Sequence, residues 1–469
     1  MDYIFNEMIF KDTFNVQKPD TKSQDVYRLR HNPNKKFKLF PYKANGKVHI
    51  VYELEELISV FIKLTLGIET EDVLYEDLCQ KMKNKLVISK EDEPVFEKTV
   101  KKMFFQDGKF IAKNIGLYIC QSKTENKSAE DLAFFLFCVL GLDDTDCHFI
   151  QEARKKYPYN VMEALVVDSV TSIQKKYHIN EKKYFVVLKG IQEKFKCDFH
   201  YMLASGMTEP EDISNLLDLY YFYYVTQTCV TLDNFGNGNR DKRVDFYYAL
   251  DWEKVSGNRK CCVNGWEQLQ QKINHLFCHS ITLELINQHR DENLMYDYIM
   301  IQEYIGEDVE RDLLVAEEIK KVEKAYTDCI GDYKKFDEIA EQSGVNDTDR
   351  AIKHLFKCVE EQFLNTERKR ANRFYIEKFE EYAKKRWLKN RRKSGIVLNL
   401  TERDIIFLTK ISLRDAEKIR LNDLFKEYEA RGIFLDQTSR KYLQEFFAKL
   451  NLIDKKSDSG DAQYVKRIL

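Results

Sequence analysis

Proline occurs only 6 times in 469 residues and glycine 17 times. Scarcity of the two strongest helix breakers argues against a turn-rich β architecture and for long helices. Long hydrophobic runs are also missing. The longest, Ala133 to Leu142, has ten residues and stops at Asp143 and Asp144. A bilayer span needs about 20 apolar residues, so this run reads as a buried core helix. Met1 to Glu7 has no basic segment leading into an apolar one, so no signal peptide is expected, and neither end carries a lipidation motif. The 11 cysteines are odd in number and irregularly spaced. They are expected to be reduced and mostly buried in a cytoplasmic, soluble protein without a membrane role. Excess charge is lacking too, at −2 overall, so the total points to no partner.

Motifs for chemistry are equally scarce. No G-x-x-x-x-G-K-[ST] phosphate loop is present, and Gly236-Asn237-Gly238 reads as a plain turn. No G-x-S-x-G occurs. Glu318-Ile319-Lys320 lies on a charged helix rather than the strand a nuclease core needs, and Asp143, Asp144 and Asp146 form an ordinary acidic loop. Cys261, Cys262, His275, Cys278 and His279 gather zinc-type ligands within 19 residues, although their spacing fits no standard finger. Buried thiols and surface histidines are the plainer reading. No catalytic residue and no cofactor are assigned.

What the chain has is hydrophobic and aromatic residues, at 43% and 13%. That is ample for a large core and two to four domains. Leu54, Leu57, Ile58, Phe61, Ile62 and Leu64 follow helical spacing. Leu216 to Val230, including Tyr220 to Tyr224, is apolar on nearly every side and should lie centrally. Glu307 to about Ala340 and Arg350 toward Arg392 predict a long helical hairpin, with a break expected in its second arm. The expected class is therefore mainly α and multidomain, with mostly helical residues 1–305, a hairpin ending in a basic arm at 306–395, and a C-terminal domain at 396–469.

Charge is concentrated in one stretch. Residues 366–393 hold 12 bases and four acids, a net of +8. Phe374, Tyr375, Tyr382 and Trp387 are interleaved with them. Such a stretch suits phosphate contact by counterion release, and equally a solvated or partner-docking face. Downstream, Thr401 with Asp404 forms a capping-box-like start to a helix. Lys418 to Leu421 is extended, Asn422 is read as the cap of a second helix, and Gly432 suits a left-handed stop. A third helix starts near Asp436 or Thr438 and should bury Tyr442, Leu443, Phe446, Phe447 and Leu450. Leu452–Ser457 and Ala462–Ile468 read as a hairpin. Helix, strand, helix, helix, hairpin is the order of a winged helix. Its net charge is only +2, from 14 bases and 12 acids, and Asp458 and Asp461 sit at the wing tip.

The candidate nucleic-acid contacts are Lys384, Lys385, Arg386, Lys389, Arg391, Arg392 and Lys393 in the arm. Arg440, Lys441, Gln444 and Lys449 follow on the third helix, and Lys455 and Lys456 in the wing.

The C-terminal third resembles the DptG subunit of phosphorothioation-dependent restriction systems. Carrying the resemblance are Leu398-Asn399-Leu400-Thr401, Phe407-Leu408-Thr409-Lys410, Lys418-Ile419-Arg420-Leu421, Arg431-Gly432-Ile433 and the stretch Lys455 to Val465. Arg391-Arg392 and the aromatic helix at Tyr220 to Tyr224 are similar as well. The likeness is good over 366–469, looser over 215–365 and absent before that. It implies a component of a bacterial defence complex with two ATPase-type subunits, directed at DNA lacking phosphorothioate marks, and transfers no catalytic residue. The expectation is a non-catalytic subunit binding duplex DNA. The alternative is an adaptor that scaffolds the ATPase subunits without touching DNA, and a metal-dependent nuclease stays as a third class.

Overall fold

The computed structural model describes residues 3–16, 29–46, 49–170, 174–176, 182–291, 294–455 and 463–468. The described chain is mainly helical with small sheets, and its main buried apolar core runs from Tyr3 to Val465. None of the eleven cysteines is disulfide-bonded, and eight are buried. Among the described residues no helix is long and apolar enough to cross a membrane.

The central helix is Pro210–Asp233, with proline in its first turn, where a missing N–H is harmless. Tyr220, Tyr221, Phe222 and Tyr224 are all buried. Their hydroxyls find partners: Tyr220 donates to Asp198, and Tyr42 and Tyr221 share a hydrogen bond. This satisfies the polar tips that a fully buried tyrosine must otherwise leave unpaired. Lys127–Val139 is likewise a core helix, as its apolar run suggested.

The hairpin is shorter than its charge pattern implied. Val309–Asp328 packs against Asp347–Asn365, and residues 329–346 are non-helical apart from a single turn, Phe336–Glu338. Asp312 on the first helix accepts the backbone N–H groups of Asp347 and Thr348 at 3.0 and 2.9 Å. It thus fixes the start of the second helix beside the first. The expected break falls at Thr366, whose ψ of 179° is extended. A separate basic helix, Lys369–Arg386, then turns into the core, burying Tyr375, Phe379 and Tyr382.

A four-stranded sheet that the sequence reading lacked joins the middle of the chain to its end. Its order is Leu388–Asn390, Ile396–Leu400, Tyr247–Leu250, Phe434–Leu435. The first pair is antiparallel; Tyr247–Leu250 is parallel to both neighbours, with Tyr248 opposite Leu398 and Leu435.

At the C-terminus, helix Glu402–Leu413 starts with the Thr401–Asp404 capping box. Strand Lys418–Arg420 leads directly into helix Leu421–Glu429, whose cap position is Arg420 rather than Asn422. The terminal helix Gln437–Lys449 is capped by Asp436. Ile453–Lys455, Gln463–Lys466 and Lys418–Arg420 form an antiparallel three-stranded sheet in that order. Leu443, Phe446 and Phe447 are buried as expected, but Tyr442 is only partly buried and Leu450 is exposed, because the helix ends there.

Candidate nucleic-acid interface

The basic helix ends at Arg386, and the chain then folds into a strand hairpin rather than a free arm. This changes the standing of each base in it. Arg386 lies between two buried carboxylates, donating to Asp218 at 3.0 Å and Asp404 at 2.7 Å. Lys389 pairs with Asp251. Arg391 donates to the carbonyls of Leu250 at 2.7 Å and Asp251 at 3.2 Å, and to Asn399 Oδ1 at 2.8 Å. Lys389 and Arg391 thus tie the strands of the sheet together, and Arg386 ties its helix to Pro210–Asp233 and Glu402–Leu413. Lys384 and Lys385 are exposed and form surface pairs with Glu381 and Glu53. Arg392 and Lys393, at the hairpin turn, are exposed and have no acidic partner among the described residues. Arg392 has φ +56°, a left-handed conformation, which lets the turn close onto Gly395.

The interleaved aromatics do not form a stacking platform. Tyr375, Tyr382 and Trp387 are buried, with the Phe222 ring tilted against Trp387 at 5.2 Å. Phe374 alone is partly open, beneath the guanidinium groups of Arg370 and Arg373.

On the terminal helix, Lys441, Glu445 and Lys449 share an exposed face at four-residue spacing. Lys441 and Lys449 have no acidic partner among the described residues. Arg440 instead pairs with Glu429 and lies 4.7 Å over the Phe425 ring. Gln444 donates to Gln463 at 2.7 Å and so ties the helix to the strand behind it. Lys455 ends its strand, while Lys456, Asp458 and Asp461 lie outside the described residues.

Segment 250–264 connects these parts, and the residues that do so, Asp251, Trp252, Glu253, Val255 and Arg259, carried no recognisable signal in the sequence. Asp251 and the carbonyl of Glu253 receive Lys389 and Arg391, and the carbonyl of Val255 accepts Ser394 Oγ at 3.0 Å. Arg259 from the same segment grips Asp436 with two nitrogens, at 3.0 and 2.6 Å, and reaches Ser439 Oγ at 2.7 Å. The Glu253 carboxylate also accepts Ser439 Oγ, and Trp252 covers Phe446 at 4.8 Å. Burial raises the pKa of Glu253, with Arg259 opposing. The result is a hydrogen-bonded bridge from the Arg392–Lys393 turn to the first turn of the terminal helix.

The five residues considered for zinc do not converge. Cys261 packs with Ala249 and Val397 under the sheet, Cys262 faces the carbonyl of Ser256, and Cys278 is buried in the main core. Only His275 and His279 come together. The acidic loop is structural: Asp143 caps helix Asp144–Lys156, and buried Asp146 pairs with His200 at 2.6 Å. Glu318 accepts the Phe5 N–H at 2.8 Å. The Gly236 N–H donates to Asp349 at 2.9 Å, in the turn expected there.

No protein-family model matches the chain, and no curated protein sequence matches it.

Proposed function

We propose that this chain is a non-catalytic DNA-binding and assembly subunit of a bacterial phosphorothioation-dependent restriction complex, working in the cytoplasm beside ATPase-type subunits. Residues 396–469 are read as its winged helix. One observation carries the DNA reading: segment 250–264 fixes the exposed Arg392–Lys393 turn and the terminal helix to one scaffold. A duplex could then meet both without either having to order first, which lowers the entropic cost of binding. In this reading the phosphate contacts are Lys384, Lys385, Arg392, Lys393, Lys441 and Lys449. Arg386, Lys389, Arg391, Arg440 and Gln444 hold the scaffold instead. The resemblance over 366–469 supplies the biological setting.

A specific observation also favours the adaptor reading. Glu445 sits between Lys441 and Lys449 on the exposed face of the terminal helix, where a phosphate backbone would repel it. Fluorescence anisotropy of a labelled duplex, beside size-exclusion of the chain mixed with the ATPase subunits, separates the two. Saturable duplex binding by the isolated chain supports the subunit reading. A stable ATPase complex without duplex binding supports the adaptor and rejects direct DNA contact.

A further inference from the structure

Two histidines on one helical turn meet a carboxylate from a different helix in a largely enclosed site. Asp233 is the last residue of the central helix, and His275 and His279 lie at the start of helix Leu276–Ile286. His275 Nδ1 and His279 Nε2 face the same oxygen, Asp233 Oδ1, at 2.5 and 3.5 Å. One donor atom from each of the three residues lies within 4.8 Å of the others. We propose that Asp233, His275 and His279 bind a divalent transition-metal ion of the zinc class.

Three features beyond the cluster itself support this site. First, His279 is fully buried, and its Nε2 has no hydrogen-bond partner. An unpartnered buried nitrogen aimed at a carboxylate costs free energy that a bound cation removes. Second, the outer nitrogens of both rings are already held. His275 Nε2 faces Glu360 Oε1 at 3.3 Å, and His279 Nδ1 faces the Tyr298 hydroxyl at 3.1 Å. Such carboxylate and hydroxyl partners fix ring orientation and tautomer in metal-binding histidines, leaving the inner nitrogens for the ion. Third, the donor spacing is suitable. Bonds of about 2.0–2.1 Å in a tetrahedron place donors about 3.3 Å apart. The His279–Asp233 gap of 3.5 Å is close to this, and the 2.5 Å His275–Asp233 contact must open by about 0.8 Å as His275 Nδ1 gives up its proton to the solvent.

Phe235 and Phe356 flank His279, with ring centroids at 5.4 and 4.6 Å, and shield that side from water. The opposite side is open, since His275 and Lys272 are about a third exposed. Lys272 pairs with Asp233 there, as the cation a metal must displace. An ion here would tie together the central helix, helix Leu276–Ile286 and, through Glu360, the second hairpin helix. A second group, Glu323, His354 and Cys358, has comparable spacing. Its His354 Nδ1 meets Glu323 at 2.8 Å and Cys358 Sγ at 3.8 Å, and none of its ligand atoms is buried without a partner as His279 Nε2 is, which makes it an internal control.

The test is calorimetric titration of the EDTA-treated full chain with Zn²⁺, and with Co²⁺ followed by visible absorption. The site predicts a single equivalent of either ion and Co²⁺ d–d bands. His275→Gln and His279→Gln should abolish both, and His354→Gln should leave both unchanged. Glu360→Gln should weaken binding roughly 10–100-fold at unchanged stoichiometry. Because His279 lies in the core, Lys272→Gln supplies a variant that spares every ligand, and it should tighten binding by removing the competing ammonium. Absence of saturable binding, binding indifferent to His279→Gln, or binding not tightened in Lys272→Gln overturns the assignment.

Discussion

Arg431 and Asp198 face each other with both side chains fully buried, the guanidinium spanning the carboxylate at 2.7 and 2.6 Å. The pair fastens the C-terminal unit to the helix Gly190–Ser205, 233 residues earlier. Tyr220 and Arg414 also reach Asp198, so its carboxylate is fully satisfied.

Removing one partner from such a pair leaves a buried charge alone. Arg431→Met should cost about 3–5 kcal/mol in urea unfolding. The double variant Asp198→Leu with Arg431→Met should recover much of that loss. A cost below about 1 kcal/mol for the single change would show that the pair does not secure the interface.

Neighbouring arginines in the basic stretch should behave oppositely. Arg391→Ala deletes hydrogen bonds to the Leu250 and Asp251 carbonyls and should lower stability by about 2–3 kcal/mol. Exposed Arg392→Ala and Lys393→Ala should each stay within about 0.5 kcal/mol of the parent chain. Thermal and urea unfolding of the three variants checks this directly.

Gly432 adopts φ +80°, and a Cβ there would lie 2.5 Å from the Tyr223 ring. Gly432→Ala meets both backbone strain and a clash, so a loss of about 2 kcal/mol is expected in urea unfolding. Tyr223→Ala in the same background should restore part of it, since it removes the clash and not the strain.

His289 gives a pH signature. Burial, reinforced by Lys36, lowers its pKa to about 4. Unfolded histidine titrates near 6.5, so between those values the unfolded chain binds the extra proton. The contribution of His289 is therefore complete above pH about 6.5 and is lost as pH falls through about 4. It totals on the order of 3 kcal/mol. The ring packs against Tyr3 and Tyr296, so His289→Phe retains aromatic contact. In urea titrations across this window the parent should lose stability relative to the variant as pH falls; parallel profiles would contradict the assignment.

Local signals in the sequence were legible where the physics is local. Thr401 with Asp404, a helix start near Asp436 or Thr438 and Gly432 as a left-handed stop each rest on a few residues, and each is found where expected, with Asp436 as the cap of the third helix. The continuous apolar surface of Tyr220 to Tyr224 likewise reads as burial on all sides. The strand Tyr247–Leu250 was not legible, because it pairs in parallel with Ile396–Leu400, about 150 residues away, through a register no local pattern encodes. For the same reason the +8 stretch could not be divided by charge alone: whether a base meets a carboxylate or solvent depends on Asp218, Asp251 and Asp404, placed by distant elements. Asp233 was missed as a partner for His275 and His279 because it lies 42 residues upstream of His275.

The most direct test of DNA contact is the salt dependence of duplex binding, parent chain against Arg392→Glu/Lys393→Glu, by fluorescence anisotropy. Contacts from Lys384, Lys385, Arg392, Lys393, Lys441 and Lys449 predict a log–log slope of about −5 for the parent, smaller by about 2 in the double variant. A flat response in the parent, or a slope the charge reversals leave unchanged, would contradict backbone contact at this turn.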